Sequence, residues 1–196
     1  MSNWKTIAGM AALACAIAAP AWAEESTKPA SGSETGKPAP GGASAVLKDQ
    51  KGAVVGTVTL TPGGSGIAMT GKLTGLTAGS HGFHIHEKGV CEGDFATAGG
   101  HFNPGHAKHG ILNDAGRHAG DLPNIEASAS GEATVDMFLT GVSLKPGADN
   151  SLADEDGTSF VVHAGPDDYK SDPSGNSGGR VACGVLELAT PAAASE

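Results

Sequence analysis

From Ala45 to Leu188 short apolar stretches alternate with glycine-rich turns, and the period within each stretch is two residues rather than 3.6. In GAVVGTVTLT, Val54, Val58 and Leu60 fall on one face and Val55, Thr57 and Thr59 on the other, the alternation of a half-buried strand. Similar stretches follow at GIAMTGKLTGL, SHGFHIHE, IEASAS, EATVDMFLT, SFVVHA and GRVACGVLEL. With AVLKD they predict eight short strands, and no stretch keeps helical spacing. Eight strands divided by turn signals predict an all-β antiparallel sandwich or barrel. Three connections are too long to be turns: 88–122, 141–157 and 164–179. Loops of that length in a compact domain are usually functional, or ordered by something other than an apolar core.

The two ends of the chain lack this pattern. Residues 1–23 read as a secretory signal peptide, with Lys5 at the start, a small apolar stretch from Ile7 to Ala19, and an A-x-A cleavage site at Ala21-Trp22-Ala23. The apolar stretch is too short to span a bilayer, so no transmembrane segment is expected. Lipid anchoring through Cys15 is the alternative, opposed by the poor lipobox Ala12-Leu13-Ala14. Residues 24–44 are rich in Ser, Gly, Pro, Thr and Lys and read as a flexible tether. The folded domain is expected over 45–188, followed by a disordered tail at 189–196. Export places the protein in the periplasm or outside the cell. If Cys15 leaves with the signal, Cys91 and Cys183 remain, and an even pair in an exported chain reads as a disulfide.

Charge changes the picture by exclusion. With 12 Lys+Arg against 21 Asp+Glu, the formal net charge is −9, which argues against nucleic acid or an anionic membrane surface as partner. With 31 glycines and 4% aromatic residues, many tight turns and a core of Val, Leu, Ile and Ala are expected.

The histidines supply the chemistry. All eight lie between His81 and His163. In GFHIH, strand alternation puts His84 and His86 on one face, about 6.6 Å apart at 3.3 Å per residue, a spacing at which two imidazoles can converge on one metal ion. The loop that follows carries His101, His109, His118 and Asp121, and His163 ends a distant strand.

Together GFHIHE, GGHFNP, KHG, RHAGDLPN, FVVHAGPDD and GGRVACGV resemble the copper/zinc superoxide dismutase family of the exported bacterial kind, in family order across residues 45–188. The resemblance implies an eight-stranded Greek-key barrel with the metal site outside it, under two long loops. It implies copper bound by His84, His86, His101 and His163 and zinc by His101, His109, His118 and Asp121, one ion of each per chain. His101 would be shared as an imidazolate. The ligand types suit the two metals: imidazole serves both, and three nitrogens with one carboxylate make a closed tetrahedral zinc site.

The implied activity is disproportionation of superoxide to O2 and hydrogen peroxide, with copper cycling between Cu(II) and Cu(I) and His101 carrying a proton. Arg180 matches the family's arginine that draws in the anion. Asp167 matches a carboxylate that joins His84 to His109 and fixes their rings. Asp168 is expected to be solvated, and Lys170 is the one cation in the loop before Arg180. His81 reads as a turn or surface residue, and the family pattern places no ligand at His106. Family members include monomers and homodimers, so a homodimer is one expectation. A metal-delivery module on the same fold is the rival reading. Such relatives tend to lack a copper histidine or the arginine, and this chain has all of them.

Overall fold

The computed structural model describes residues 38–190. The predicted signal peptide, Cys15, most of the tether and most of the tail lie outside the described residues. The strands are β1 (Ala43–Asp49), β2 (Val54–Pro62), β3 (Ile67–Leu73), β4 (Gly79–His81), β5 (Phe83–His86), β6 (Ile125–Ala127), β7 (Ala133–Leu139), β8 (Ser159–His163), β9 (Arg180–Val185) and β10 (Glu187–Leu188). The sheet order is β4-β6-β7-β3-β2-β1-β9-β8-β5, with β10 beside β1, and the strand pairs are antiparallel. β4 and β5 are neighbours in sequence yet stand at opposite ends of that order. One segment is therefore sewn to both margins of the sheet, which wraps it into a nearly closed barrel.

Each of the eight predicted stretches is found as strand, and two are split. SHGFHIHE divides at Gly82, whose N–H donates to Gly165 O at 2.8 Å and whose carbonyl accepts from His163 N at 2.8 Å. A Cβ on Gly82 would stand 2.8 Å from the Ser177 Cβ, so no larger residue fits this crossing unless that neighbour shifts. GRVACGVLEL divides at Leu186, whose N–H turns to Thr158 O at 2.9 Å. At the N-terminal end β1 begins at Ala43, which is fully buried, so the first strand starts slightly before the expected boundary. At the other end the Ala189 N–H donates to Gly42 O at 2.8 Å.

One face assignment is corrected. Val54 was expected inside with Val58 and Leu60, but it is 62% exposed while Val55 is buried. Between β1 and β2 the register shifts, Leu47 pairing with Gly56 and Lys48 with Val54, so Val55 is the extra residue of a bulge. A bulge of one residue inverts the alternation beyond it.

The core contains Leu47, Val58, Leu60, Met69, Leu73, Phe83, Ile85, Val135, Phe160 and Val162, each fully or almost fully buried. Burial of one such large side chain is worth about 1.5–3 kcal/mol. β5 and β8 are buried on both faces. Phe83, Ile85, Phe160 and Val162 supply the inner face. The outer face carries His84, His86, Val161 and His163, covered by the long loops. Val161 packs outside the barrel with Phe95, Ala98 and Cys183 in a small second cluster. The predicted disulfide joins Cys91 to Cys183 there and ties loop 88–122 to β9. That loop also contains a 3-10 turn, Ala96–Ala98, which no spacing in the sequence signals.

Candidate metal centre

β5 pairs with β8 on one side, and its other edge receives the loop: Phe102 N–H donates to Ile85 O at 2.8 Å and Ile85 N–H to Gly120 O at 2.9 Å. This stitching lays His101 beside His86 and Asp121 beside His84. Strand alternation turns His84 and His86 outward with ring centroids 6.4 Å apart, close to the 6.6 Å expected from strand rise alone.

Two groups of four result, His84, His86, His101, His163 and His101, His109, His118, Asp121, all buried, with the candidate ligand atoms of each group within 4.8 Å of one another. In the first group the buried nitrogens His84 Nδ1, His86 Nε2, His101 Nε2 and His163 Nε2 have no hydrogen-bond partner. The other nitrogen of each ring is occupied. His86 Nδ1 lies 3.0 Å from Gly99 O, His163 Nδ1 3.2 Å from Gly178 O, and His84 Nε2 2.8 Å from Asp167 Oδ2. An unsatisfied buried polar atom costs about 1–3 kcal/mol, so four converging ones are a costly arrangement that a cation would reverse. Four imidazoles suit copper.

The second group has its own anion. Asp121 Oδ1 lies 2.8 Å from His101 Nδ1, 3.0 Å from His109 Nδ1 and 3.1 Å from His118 Nδ1. Asp121 Oδ2 accepts from the backbone N–H of Gly110 at 2.8 Å and of His118 at 3.0 Å. Burial pushes the Asp121 carboxyl up, but hydrogen bonds from His101, His118 and Gly110 outweigh it and hold it well below the usual carboxylate range. Three nitrogens and one carboxylate oxygen fit a closed tetrahedral zinc site. His101 serves both groups through opposite ring nitrogens, Nδ1 towards Asp121 and Nε2 towards the first group.

Burial lowers the pKa of the first group. It takes His86 to about 2, with help from the charges of His101 and Arg180. It takes His163 to about 3, with His84 adding to the effect. His101 falls to about 4, burial prevailing over the hydrogen bond to Asp121. Neutral imidazoles are the form in which histidine binds metals.

Asp167 joins the two groups: Oδ2 accepts from His84 Nε2 at 2.8 Å and Oδ1 from His109 Nε2 at 3.0 Å. Burial raises its carboxyl, and the hydrogen bonds from His84 and His109 reverse that and lower it. Arg180, at the start of β9, donates from Nη1 to Phe95 O at 2.5 Å and from Nη2 to Gly99 O at 2.6 Å. Gly99 O therefore holds both the guanidinium and His86. Asp168 is exposed as expected, and it also orders its turn by accepting from the N–H groups of Lys170 at 2.9 Å and Ser171 at 2.8 Å. Lys170 and His106 are exposed, and His106 belongs to neither group.

Two residues depart from the sequence reading. His81 is 2% exposed rather than superficial: Nδ1 lies 2.7 Å from the His163 carbonyl and Nε2 2.8 Å from the Thr77 carbonyl. The crossing at Gly82 buries the end of β4 against β8, which a strand pattern does not reveal. Asn124 received no role, yet its side-chain amide bonds the Asp167 backbone in both directions, each at 2.9 Å. Its place in RHAGDLPN, just after Asp121, was the available signal.

The family model for copper/zinc superoxide dismutase (SODC) matches residues 54–186. The chain is 47% identical over 143 residues to Superoxide dismutase [Cu-Zn] 1 of Aquifex aeolicus, covering 72% of this chain and 85% of that one. It is 47% identical over 148 residues to Superoxide dismutase [Cu-Zn] of Caulobacter vibrioides, covering 74% and 85%. Among solved structures, a SOD-like protein from Bacillus subtilis superposes with a TM-score of 0.71 at 43% identity, over 74% of this chain and 97% of that one.

Proposed function

The chain belongs to the copper/zinc superoxide dismutase family, and from that premise we propose which of its residues carry the family's reaction. It is an oxidoreductase with copper and zinc as cofactors, converting two superoxide anions and two protons into O2 and hydrogen peroxide. We assign copper to His84, His86, His101 and His163, and zinc to His101, His109, His118 and Asp121. The observation that carries this reading is the set of four converging buried nitrogens without partners, beside a second group organised on Asp121.

Bound copper supplies one-electron exchange with superoxide, and bound zinc supplies a fixed, redox-silent charge. His101 is placed to move a proton at Nε2, held while one superoxide is oxidised and delivered to the product when the second is reduced. Asp167 fixes the orientation of His84 and His109 through their outer nitrogens. Arg180 attracts and orients the anion, and its charge already reaches His86 and His163. Its two backbone hydrogen bonds hold that charge in place. We also place the protein outside the cytoplasm, in the periplasm, a reading supported by the Cys91–Cys183 disulfide.

The ligand assignment is tested by metal content. His109→Ala should lose zinc before copper under graded chelation, and His86→Ala copper before zinc. The opposite order would show that the ligand sets are exchanged.

A further inference from the structure

Tyr169 is the single tyrosine of the chain, and its backbone is left-handed, with φ 64°. A bulky residue there is strained and persists only where its surroundings fix it. Three segments do so. The Tyr169 N–H donates to Asp167 Oδ1 at 2.6 Å, the oxygen that also takes His109 Nε2. The Tyr169 carbonyl accepts from Leu112 N–H at 3.1 Å. The phenol oxygen accepts from Asn124 N–H at 2.7 Å.

Leu112 lies just beyond His109, and Asn124 just beyond Asp121. Gly110 completes the fit: its φ is +111°, and a Cβ there would stand 2.1 Å from the Tyr169 carbonyl oxygen. One residue thus touches each segment bearing His109, Asp121 and Asp167. The copper-assigned rings His86 and His163 rest on other anchors, Gly99 O and Gly178 O.

We infer that Tyr169 is a positioning residue for zinc: its hydroxyl and backbone fix the spacing of His109 and Asp121 and the orientation of Asp167. The inference rests on the zinc assignment above. Groups that hold metal ligands from outside are worth about 10–100-fold in affinity. Tyr169→Phe deletes one oxygen and leaves the Asn124 N–H without its partner.

The test titrates zinc into metal-free full-length protein, wild type and Tyr169→Phe, with a parallel copper titration and thermal unfolding of the metal-free forms. Wild type should bind one zinc at the assigned group and change the near-ultraviolet circular dichroism of Tyr169 as it does so. Tyr169→Phe should bind zinc about tenfold more weakly, with copper affinity falling by less and the metal-free protein still unfolding in one cooperative transition. Equal zinc affinity in the two proteins would overturn the role of Tyr169 alone, as would an equal fall in copper affinity or a tyrosine signal indifferent to zinc. No zinc binding by wild type would overturn the zinc assignment as well. If Tyr169→Phe does not fold, the wild-type tyrosine signal decides.

Discussion

The two metal groups share His101 but are built in opposite ways. The copper-assigned group takes His84 and His86 from β5 and His163 from the end of β8, so three of its four corners stand on barrel strands. The zinc-assigned group lies wholly in loop 88–122. The strand-borne group gathers like with like, four imidazoles whose inner nitrogens have no partner. The loop-borne group carries Asp121, a buried anion that satisfies its histidines without help. Rigid strands can hold an unfavourable arrangement in readiness for a cation. A loop has no such frame, so it brings its own counter-charge and is tied to β9 by the disulfide.

Acid should strain this contrast most. His86, His101 and His163 have folded pKa values of about 2, 4 and 3, against 6.5 for the ordinary group. Below pH 6.5 the unfolded chain binds protons that the folded metal-free protein refuses, so stability is present above that pH and lost as pH falls towards the folded values. The slope is at most about 1.4 kcal/mol per pH unit for each histidine. Denaturant titrations of metal-free protein between pH 7 and 5 should show the decline, and a flat profile would mean that the strand-borne rings are not held neutral.

Cutting the disulfide comes next. Cys91 and Cys183 are separated by 92 positions, and closing a loop of that length is worth roughly 4–5 kcal/mol in the chain-entropy model. Cys91→Ser with Cys183→Ser should lower unfolding free energy by up to that amount and weaken zinc more than copper. Equal weakening would deny that the loop-borne group depends on tethering.

A smaller effect is local. Removing zinc should speed amide exchange about tenfold in 101–122 while the core amides of β5 and β8 stay protected. Uniform change across both would merge the two regions into one cooperative unit. Last, Arg180→Glu should lower the rate about tenfold while leaving both metals bound. Loss of copper from this variant would make Arg180 a structural support of His86 rather than an anion guide.

The contrast also explains what was legible in the sequence. Strand periodicity located each stretch, and H-x-H on a strand placed His84 and His86 on one face because alternation is geometric. It failed at Val55, where one inserted residue inverts the faces, and at His81, whose burial comes from a crossing between distant segments. The loop-borne residues have no period to read. His101, His109, His118, Asp121 and Asp167 are legible only through family motifs, and Asn124, a neutral amide that does not titrate, carries no such mark although it clamps Asp167. The negative net charge of the chain argues against polyanions, while attraction of a small anion rests on Arg180 and the metals.

We take the strand-borne group to be the redox centre and the loop-borne group its support. Superoxide decay measured with protein loaded with one copper and one zinc per chain, beside protein loaded with zinc alone, separates the two roles. Rapid decay with both metals and none above background with zinc alone is predicted. Decay no faster with the fully loaded protein than without it would contradict the account.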